Sequence, residues 1–441
     1  MKKYAYPILI FVTGLLFLLI LIFSKDRPKV PGFKERQGNI GLSSEWLNAK
    51  QAIQGLLAKI KDNPNDMKSM VNLAMAYVQE SHVTGDHAYY DKAAIEIVDA
   101  VLKKDPNNFD ALSLKAAVLL SQHHFADGLE IGKKAVPLNP YSAFIYGILC
   151  DGNVELGNYD EAVKMSDKMV STRPDIRSYS RVSYLREIYG DMPGAISAMK
   201  LAVSAGYPGL EQTEWARVIL GHLYEYSGKP DSAKMQYEQA LVERPDYAFA
   251  IAGLGRIAKS KQNYTEAIRY FEKAKSLIIE YSFADELTDL YRLNNEPDKA
   301  KKSAEDVIEQ LGANAGSESQ NNHGHYADKE LAYAYLKLPD LDNALKHALI
   351  EYNRRPDNID ICEALAWVHY KRGEFADASK LIDKALRTNS KNPVLLCRAG
   401  LIKIKAGDNQ KGEDLIKEST ALNPFLDIDL KNEANRVLAK S

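Results

Sequence analysis

Residues 214–247 read EWARVILGHLYEYSGKPDSAKMQYEQALVERPDY. Apolar and small residues recur at helical spacing through the first half, Gly228-Lys229-Pro230 interrupts them, a second helical run follows, and Pro245 closes it. This pattern predicts two helices joined by a tight turn. Pro245 ends the second helix because it has no N–H to continue the ladder and disfavours helix at Arg244 before it. Gly221, after Leu220, lets the two helices approach closely, Ala233 does the same from the second helix, and Tyr224 fills the space between them.

The unit repeats along the chain. Pro106, Pro140 and Pro174 are each 34 positions apart, and Pro356 and Pro424 are separated by 68, twice that period. Between the prolines the same slots recur: Leu254-Gly255, Tyr264, Ala267, Phe271 and Ala274 in 248–280, then Leu365-Ala366, Gly373, Phe375, Ala378 and Ala385 in 359–392. One hairpin cannot bury its apolar face alone, so hairpins at a fixed period stack into one continuous core. About ten pairs are expected, beginning near 67, 109, 143, 177, 214, 248, 281, 325, 359 and 393. Residues 44–62 read as an unpaired starting helix and 427–440 as a charged capping helix. The first pair carries an eight-residue insertion around Ser81–Tyr90, and the link at Ala205–Gln212 is lengthened. Residues 312–324, GANAGSESQNNHG, form the longest polar loop and divide the array into blocks 44–311 and 325–441.

This pattern of Leu-Gly, Tyr, Ala, aromatic and Pro every 34 residues resembles the tetratricopeptide repeat family over roughly residues 67–426. The usual first aromatic slot lacks Trp, holding Met70, Leu112, Tyr146, Arg217 and Ile251 in five repeats. Segment 195–310, through stretches such as WARVILGHLYEYSG, and the closing ALNP at 421–424 also resemble bacterial repeat proteins of unassigned role. The resemblance implies an all-α, right-handed solenoid whose first helices line a concave groove for protein or peptide partners. On that implication the groove positions are Phe144, Arg181, Trp215, His222, Phe249, Arg256, Tyr326, Lys329, Tyr333, Trp367 and Tyr370. Rigid rings interspersed with cations suit an extended peptide, because rings supply contact area at low entropic cost. The competing reading is that these rings pack between adjacent helices. The Lys/Asn clamp by which some members hold a C-terminal carboxylate is not matched, since the corresponding opening positions are Val71, Met75, Ser113 and Ala117.

Tyr6 to Phe23, YPILIFVTGLLFLLILIF, is an uncharged apolar run. Its eighteen residues span about 27 Å as a helix, close to a bilayer's hydrocarbon thickness. No A-x-A site precedes Ser24-Lys25-Asp26, so an uncleaved single-pass anchor over 1–23 is expected rather than a removed signal peptide. Residues 24–43, with Pro28, Pro31, Gly32, Gly38 and Gly41, read as a linker. The side of the membrane is open. Lys25, Arg27, Lys29, Lys34 and Arg36 favour a cytoplasmic repeat domain by the positive-inside count, whereas the short MKK start leans toward export.

Composition bounds the function. The 441 residues are 46% apolar and 26% charged, a soluble balance. The net charge of −2 argues against a nucleic-acid binder; the first 40 residues hold seven Lys/Arg against two Asp/Glu, a balance of +5, which leaves −7 for the remainder. Cys150, Cys362 and Cys397 are widely spaced in apolar helical surroundings and read as buried thiols. Gly253-Leu-Gly255 is a loose dinucleotide fingerprint but falls inside a helix. His123-His124 and His323-Gly-His325 lack accompanying ligands at metal spacing. No catalytic motif is found, so no catalytic, cofactor or metal residue is assigned. The expectation is a non-catalytic, membrane-tethered scaffold or adaptor. The alternatives are a structural subunit of a cell-envelope assembly or secretion complex, and a small-molecule binder or cryptic enzyme using loop 312–324.

Overall fold

The computed structural model describes residues 13, 30–36, 43–315 and 324–439, and among them no strand occurs. A lone helix, α1 (Ser43–Asp62), is followed by ten hairpins. These are α2 (Met67–Thr84) with α3 (His87–Lys104), α4 (Phe109–Ser121) with α5 (Phe125–Ala135), α6 (Ala143–Glu155) with α7 (Tyr159–Thr172), α8 (Ile176–Ile188) with α9 (Met192–Ala205), and α10 (Glu211–Tyr226) with α11 (Pro230–Glu243). The second half holds α12 (Ala248–Ser260) with α13 (Tyr264–Leu277), α14 (Tyr281–Leu293) with α15 (Pro297–Ala315), α16 (Asp328–Lys337) with α17 (Leu341–Arg354), α18 (Ile359–Arg372) with α19 (Phe375–Ala385), and α20 (Pro393–Lys405) with α21 (Asn409–Leu422). The last helix, α22, runs Ile428–Leu438. Side-chain caps start several first helices: Asp66, Asn108, Asp175, Asn358 and Asn392 each accept from a backbone N–H two or three residues on.

The repeat slots pack as their chemistry requires. Ala94, Ala162, Ala233, Ala267, Ala344 and Ala378 are fully buried. A Cβ on Gly221 would lie 2.3 Å from the Tyr237 ring, which is the close approach that slot provides. All three cysteines are buried and free. Burial pushes the Cys150 thiol up to about 12 and those of Cys362 and Cys397 up to about 11, so none is a ready nucleophile.

Two expectations change and one is filled in. The insertion expected in the first pair is taken up by longer helices: α2 and α3 have 18 residues each, with Gly85-Asp86 between them. The polar stretch at 312–324 does not divide the array. Helix α15 runs on to Ala315, and Val307 and Leu311 share one core with Ala284, Ala327, Leu331 and Ala334, so the stack is continuous across it. Residues 30–36 are not a free tether. They lie extended against the first hairpin, where Tyr77 and Tyr89 hydroxyls donate to the Gly32 carbonyl at 3.1 and 2.7 Å and the Tyr90 hydroxyl donates to that of Lys34 at 3.1 Å. Arg36, 3% exposed, is buried against Glu80 at 2.6 Å. The expected anchor at 6–23 lies outside the described residues apart from Thr13; among those described, no helix is long and apolar enough to cross a membrane.

The array coils until its second turn rests on its first. The lone helix α1 and turns inside the early hairpins meet links between the later ones, at separations near two hundred residues. Glu45 accepts from Arg244 across 199 positions at 2.6 Å, His123 Nδ1 donates to the Tyr326 carbonyl across 203 at 2.7 Å, and Asn358 Nδ2 donates to the Glu155 carbonyl across 203 at 3.0 Å. The Ile359 N–H donates to the Tyr159 hydroxyl at 2.9 Å and Arg387 to the Gly157 carbonyl at 2.8 Å. The contact is close enough that a Cβ on Gly157 would lie 2.1 Å from the Asp357 carbonyl oxygen. The expected open groove is therefore the wall of an interior channel, walled by both turns of one coil.

Candidate protein-binding channel

First helices line the channel. In its second turn Arg398, from α20, lies between two rings, its guanidinium carbon 5.3 Å from the Tyr333 centroid and 4.9 Å from that of Trp367. It donates to the Tyr333 hydroxyl and to Glu363 Oε1, each at 3.0 Å, while its Nε is buried with no hydrogen-bond partner. Around this stack Lys337 contacts Asp285 and Asp289, each at 2.8 Å, and Lys259 contacts Glu286 at 3.0 Å. These groups, with Tyr281, Lys329 and Leu336, border a cavity of ≈ 590 Å³. A neighbouring cavity of ≈ 490 Å³ is bordered by Arg256, Tyr264 and Phe425.

The electrostatics follow from enclosure. Burial alone would lower Lys259, but Glu286, Asp427 and Asp289 outweigh it and hold the ammonium above its ordinary value; Glu330, Asp360 and Glu155 do the same for Lys329. Burial, reinforced by Asp360, pushes the Glu187 carboxyl up to about 7. His222 is held well below the usual imidazole range by burial and by Arg256. The wall can therefore offer charge-assisted donors and acceptors and ring faces at fixed positions. Among the described residues no group of three or more His, Cys, Asp or Glu side chains could hold a metal ion.

The expected groove residues fall into three groups. Lys329, Tyr333 and Trp367 meet at the large cavity, although Trp367 and Tyr370, each 7% exposed, are largely covered and stacked 4.9 Å apart. In the first turn Arg181 donates to Asp151 at 2.8 Å, Arg256 reaches Glu225 at 3.2 Å, and His222 contacts Arg256. Phe144 and Trp215 stay exposed at 38% and 40%, and Trp215 leads an edge-to-face row through Phe249 to Phe283 with centroids 4.9 and 5.6 Å apart. Tyr326 stands apart: it precedes α16 and lies where the two turns meet, over His124 and under Arg354. Sequence reading missed Arg398, Glu363, Glu187 and Asp360. The first-helix period marks all four as inward-facing, but only their encounter across the channel marks them as paired or isolated.

A family model described as tetratricopeptide repeat matches residues 220–282. No curated protein matches the chain. Among solved structures, a thermophilic tetratricopeptide protein of Thermus thermophilus is 21% identical, covering 40% of this chain and 91% of its own with a TM-score of 0.36. The human IFIT1 dimer is 14% identical, covering 79% of this chain and 80% of its own with a TM-score of 0.48.

Proposed function

We propose that the chain is a non-catalytic scaffold that takes protein or peptide segments into its interior channel while residues 6–23 tether it to a membrane. Proteins built of tetratricopeptide repeats generally mediate protein–protein interactions, and the match over 220–282 supports that class here. The observation that carries the reading is Arg398. Its guanidinium lies against Tyr333 and Trp367 at the border of the ≈ 590 Å³ cavity, where it fixes a polar wall with Lys259, Lys329, Lys337, Asp285 and Asp289 that offers charge-assisted partners to an entering polypeptide. Docking of residues 30–36 supports close tethering, because it leaves few residues between the apolar run and the first hairpin.

The test is co-purification from detergent extracts with wild-type chain, Trp215→Ala and Arg398→Ala, read by quantitative mass spectrometry. Partners enriched by wild type and depleted by either substitution are expected. If nothing is enriched, or both variants keep every partner, the channel is not the binding surface. A C-terminal reporter fusion, read with a protease-protection assay, tests the tether and fixes the side of the membrane on which partners are found.

A further inference from the structure

Helix α22 does not extend the stack. Every other first helix from α4 onward packs on the second helix before it, whereas α22 packs on α20 instead of α21. Leu426, Leu430, Ala434 and Val437 join the core of Trp367, Tyr370, Leu395 and Ile402. This turns the polar edge of α22 across the mouth of the channel, over the C-terminal ends of α12, α14 and α18. There three cations from three separate repeats each meet one carboxylate. Lys259 Nζ lies 3.1 Å from Asp427, Arg292 contacts Asp429, and Lys371 Nζ lies 2.8 Å from Glu433, which also accepts from the Tyr370 hydroxyl at 2.9 Å. The same stretch of α22 walls the ≈ 590 Å³ cavity through Asp427, Asp429, Leu430 and Glu433.

Two features make this contact exchangeable. Arg292 and Asp429 are each 49% exposed, so solvent screens their attraction. The apolar grip of α22 consists of small or medium side chains on one face of an 11-residue helix. The cations remain well placed without it: Lys259 keeps Glu286, Arg292 keeps Asp289, and Lys371 lies 4.4 Å over the Trp367 ring. Among the described residues Lys371 has no other carboxylate within ion-pair distance.

We propose that the channel mouth is a docking site for an acidic helical segment of a protein partner, and that α22 is its resident occupant, displaced when the partner engages. The inference rests on the channel reading and names the chemistry the mouth selects: carboxylates spaced like Asp427, Asp429 and Glu433, on a helix with a leucine-sized apolar face. The resident acids also place negative charge at a helix N-terminus, which stabilises a short helix as it docks.

The test uses the full chain and a fluorescein-labelled peptide of residues 423–441, NPFLDIDLKNEANRVLAKS. Asp429→Lys with Glu433→Lys sets like charges against Arg292 and Lys371 and leaves the apolar face intact. Hydrogen exchange reports release of 428–438, and anisotropy reports peptide binding. The charge-reversed chain is expected to expose α22 and to bind the peptide about tenfold more tightly than wild type. A peptide with Asn and Gln for the three acids is expected to bind neither chain. Adding Arg292→Glu and Lys371→Glu is expected to re-pair α22 and remove the gain. The inference is overturned if α22 stays protected after charge reversal, or if it is released and the peptide does not bind. Neither result touches co-purification through Arg398 and Trp215, so failure here is distinct from failure of the channel reading.

Discussion

Gly157→Ala tests whether the two turns of the coil touch in solution. Gly157 has φ +80°, and a Cβ there would lie 2.1 Å from the Asp357 carbonyl oxygen and 2.9 Å from the Asn358 nitrogen. An alanine in the left-handed region costs about 1–2 kcal/mol in any protein. The clash adds a second term, because the turns must part by about 1 Å to restore ordinary contact. Parting them strands Asn358, which is 3% exposed and donates to the carbonyls of Val154 and Glu155, and it breaks the bond from the Ile359 N–H to Tyr159. Each of these two buried polar groups left without a partner costs about 1–3 kcal/mol, so with the left-handed term the total is about 3–8 kcal/mol. Gly373 is the matched control. It has φ +82° in the corresponding turn of a later hairpin, and nothing lies within 4 Å of its would-be Cβ. Gly373→Ala therefore costs only the left-handed term, about 1–2 kcal/mol. Repeat arrays unfold in segments, so the assay is local: hydrogen exchange of 154–159 and 355–359, with small-angle scattering for overall length. Faster exchange and a longer particle are expected for Gly157→Ala alone. Equal effects of the two substitutions, or unchanged protection at 355–359, would refute the closed coil.

Three further outcomes follow from the same contacts. Glu187 is raised from 4.5 to about 7, so the folded chain keeps a proton that the unfolded chain releases; stability should fall as pH rises from about 4.5 to about 7, by at most about 3 kcal/mol. Thermal melts of Glu187→Gln should match wild type at pH 4.5 and exceed it at pH 8, and a pH-independent difference would exclude this cause. His325 is pushed down to about 4 by burial and by His123, with Glu330, His87 and Asp91 also facing it, and Lys329 and Arg355 facing His123. The unfolded imidazole takes up a proton below pH 6.5 and the folded one does not until about 4, so acidification should loosen 122–124 and 324–327. Hydrogen exchange corrected for intrinsic rate should show this at pH 5 in wild type and less in His325→Asn. Arg36→Ala should cost about 3–5 kcal/mol by leaving Glu80, 1% exposed, as a buried unpaired charge. Limited proteolysis should then cut between 30 and 36, and unchanged resistance there would show that the ion pair does not hold the strap.

Much of this fold is legible in the sequence because its signals are local. Pro106, Pro140 and Pro174 mark where second helices stop, and the observed first helices at 109, 143 and 176 begin within one residue of the expectation. Ala233 and Gly221 mark helix contact within one hairpin, which depends on residues a few turns apart. The candidate site was legible as a face but not as a set of contacts. Helical periodicity puts Tyr333, Trp367 and Arg398 on inward faces, while stacking of one guanidinium between rings from two other repeats depends on how each hairpin turns against the next. The insertion at Ser81–Tyr90 is located by the sequence but not assigned a structure, because extra residues read equally well as a longer loop or as longer helices, and capping by Asp86 settles it toward helices.

What local signals cannot carry is pitch, and one tripeptide shows why. Arg-Pro-Asp occurs at 173–175, 244–246 and 355–357, each time ending a second helix. Arg173 is 75% exposed, and among the described residues its side chain pairs only with Asp175. Arg244 is 3% exposed and reaches Glu45; Arg355 is 5% exposed and reaches Glu155. The three share a proline after an arginine with φ −152 to −137° at the helix end, so helix-end propensity does not separate the arginines, although the chain beyond them differs: Asp175 is extended (φ −144°) and Asp246 left-handed (φ 59°). The difference in their burial lies some two hundred residues away, in whether an earlier turn of the coil passes beneath. The small rotation between hairpins, summed over one turn, decides that Arg355 becomes a buried ion partner while Arg173 remains in water. The outward faces of these links are thus where a repeat protein's sequence understates its structure. A substitution at Arg355 acts on the coil's closure, and the same substitution at Arg173 acts only on its surface.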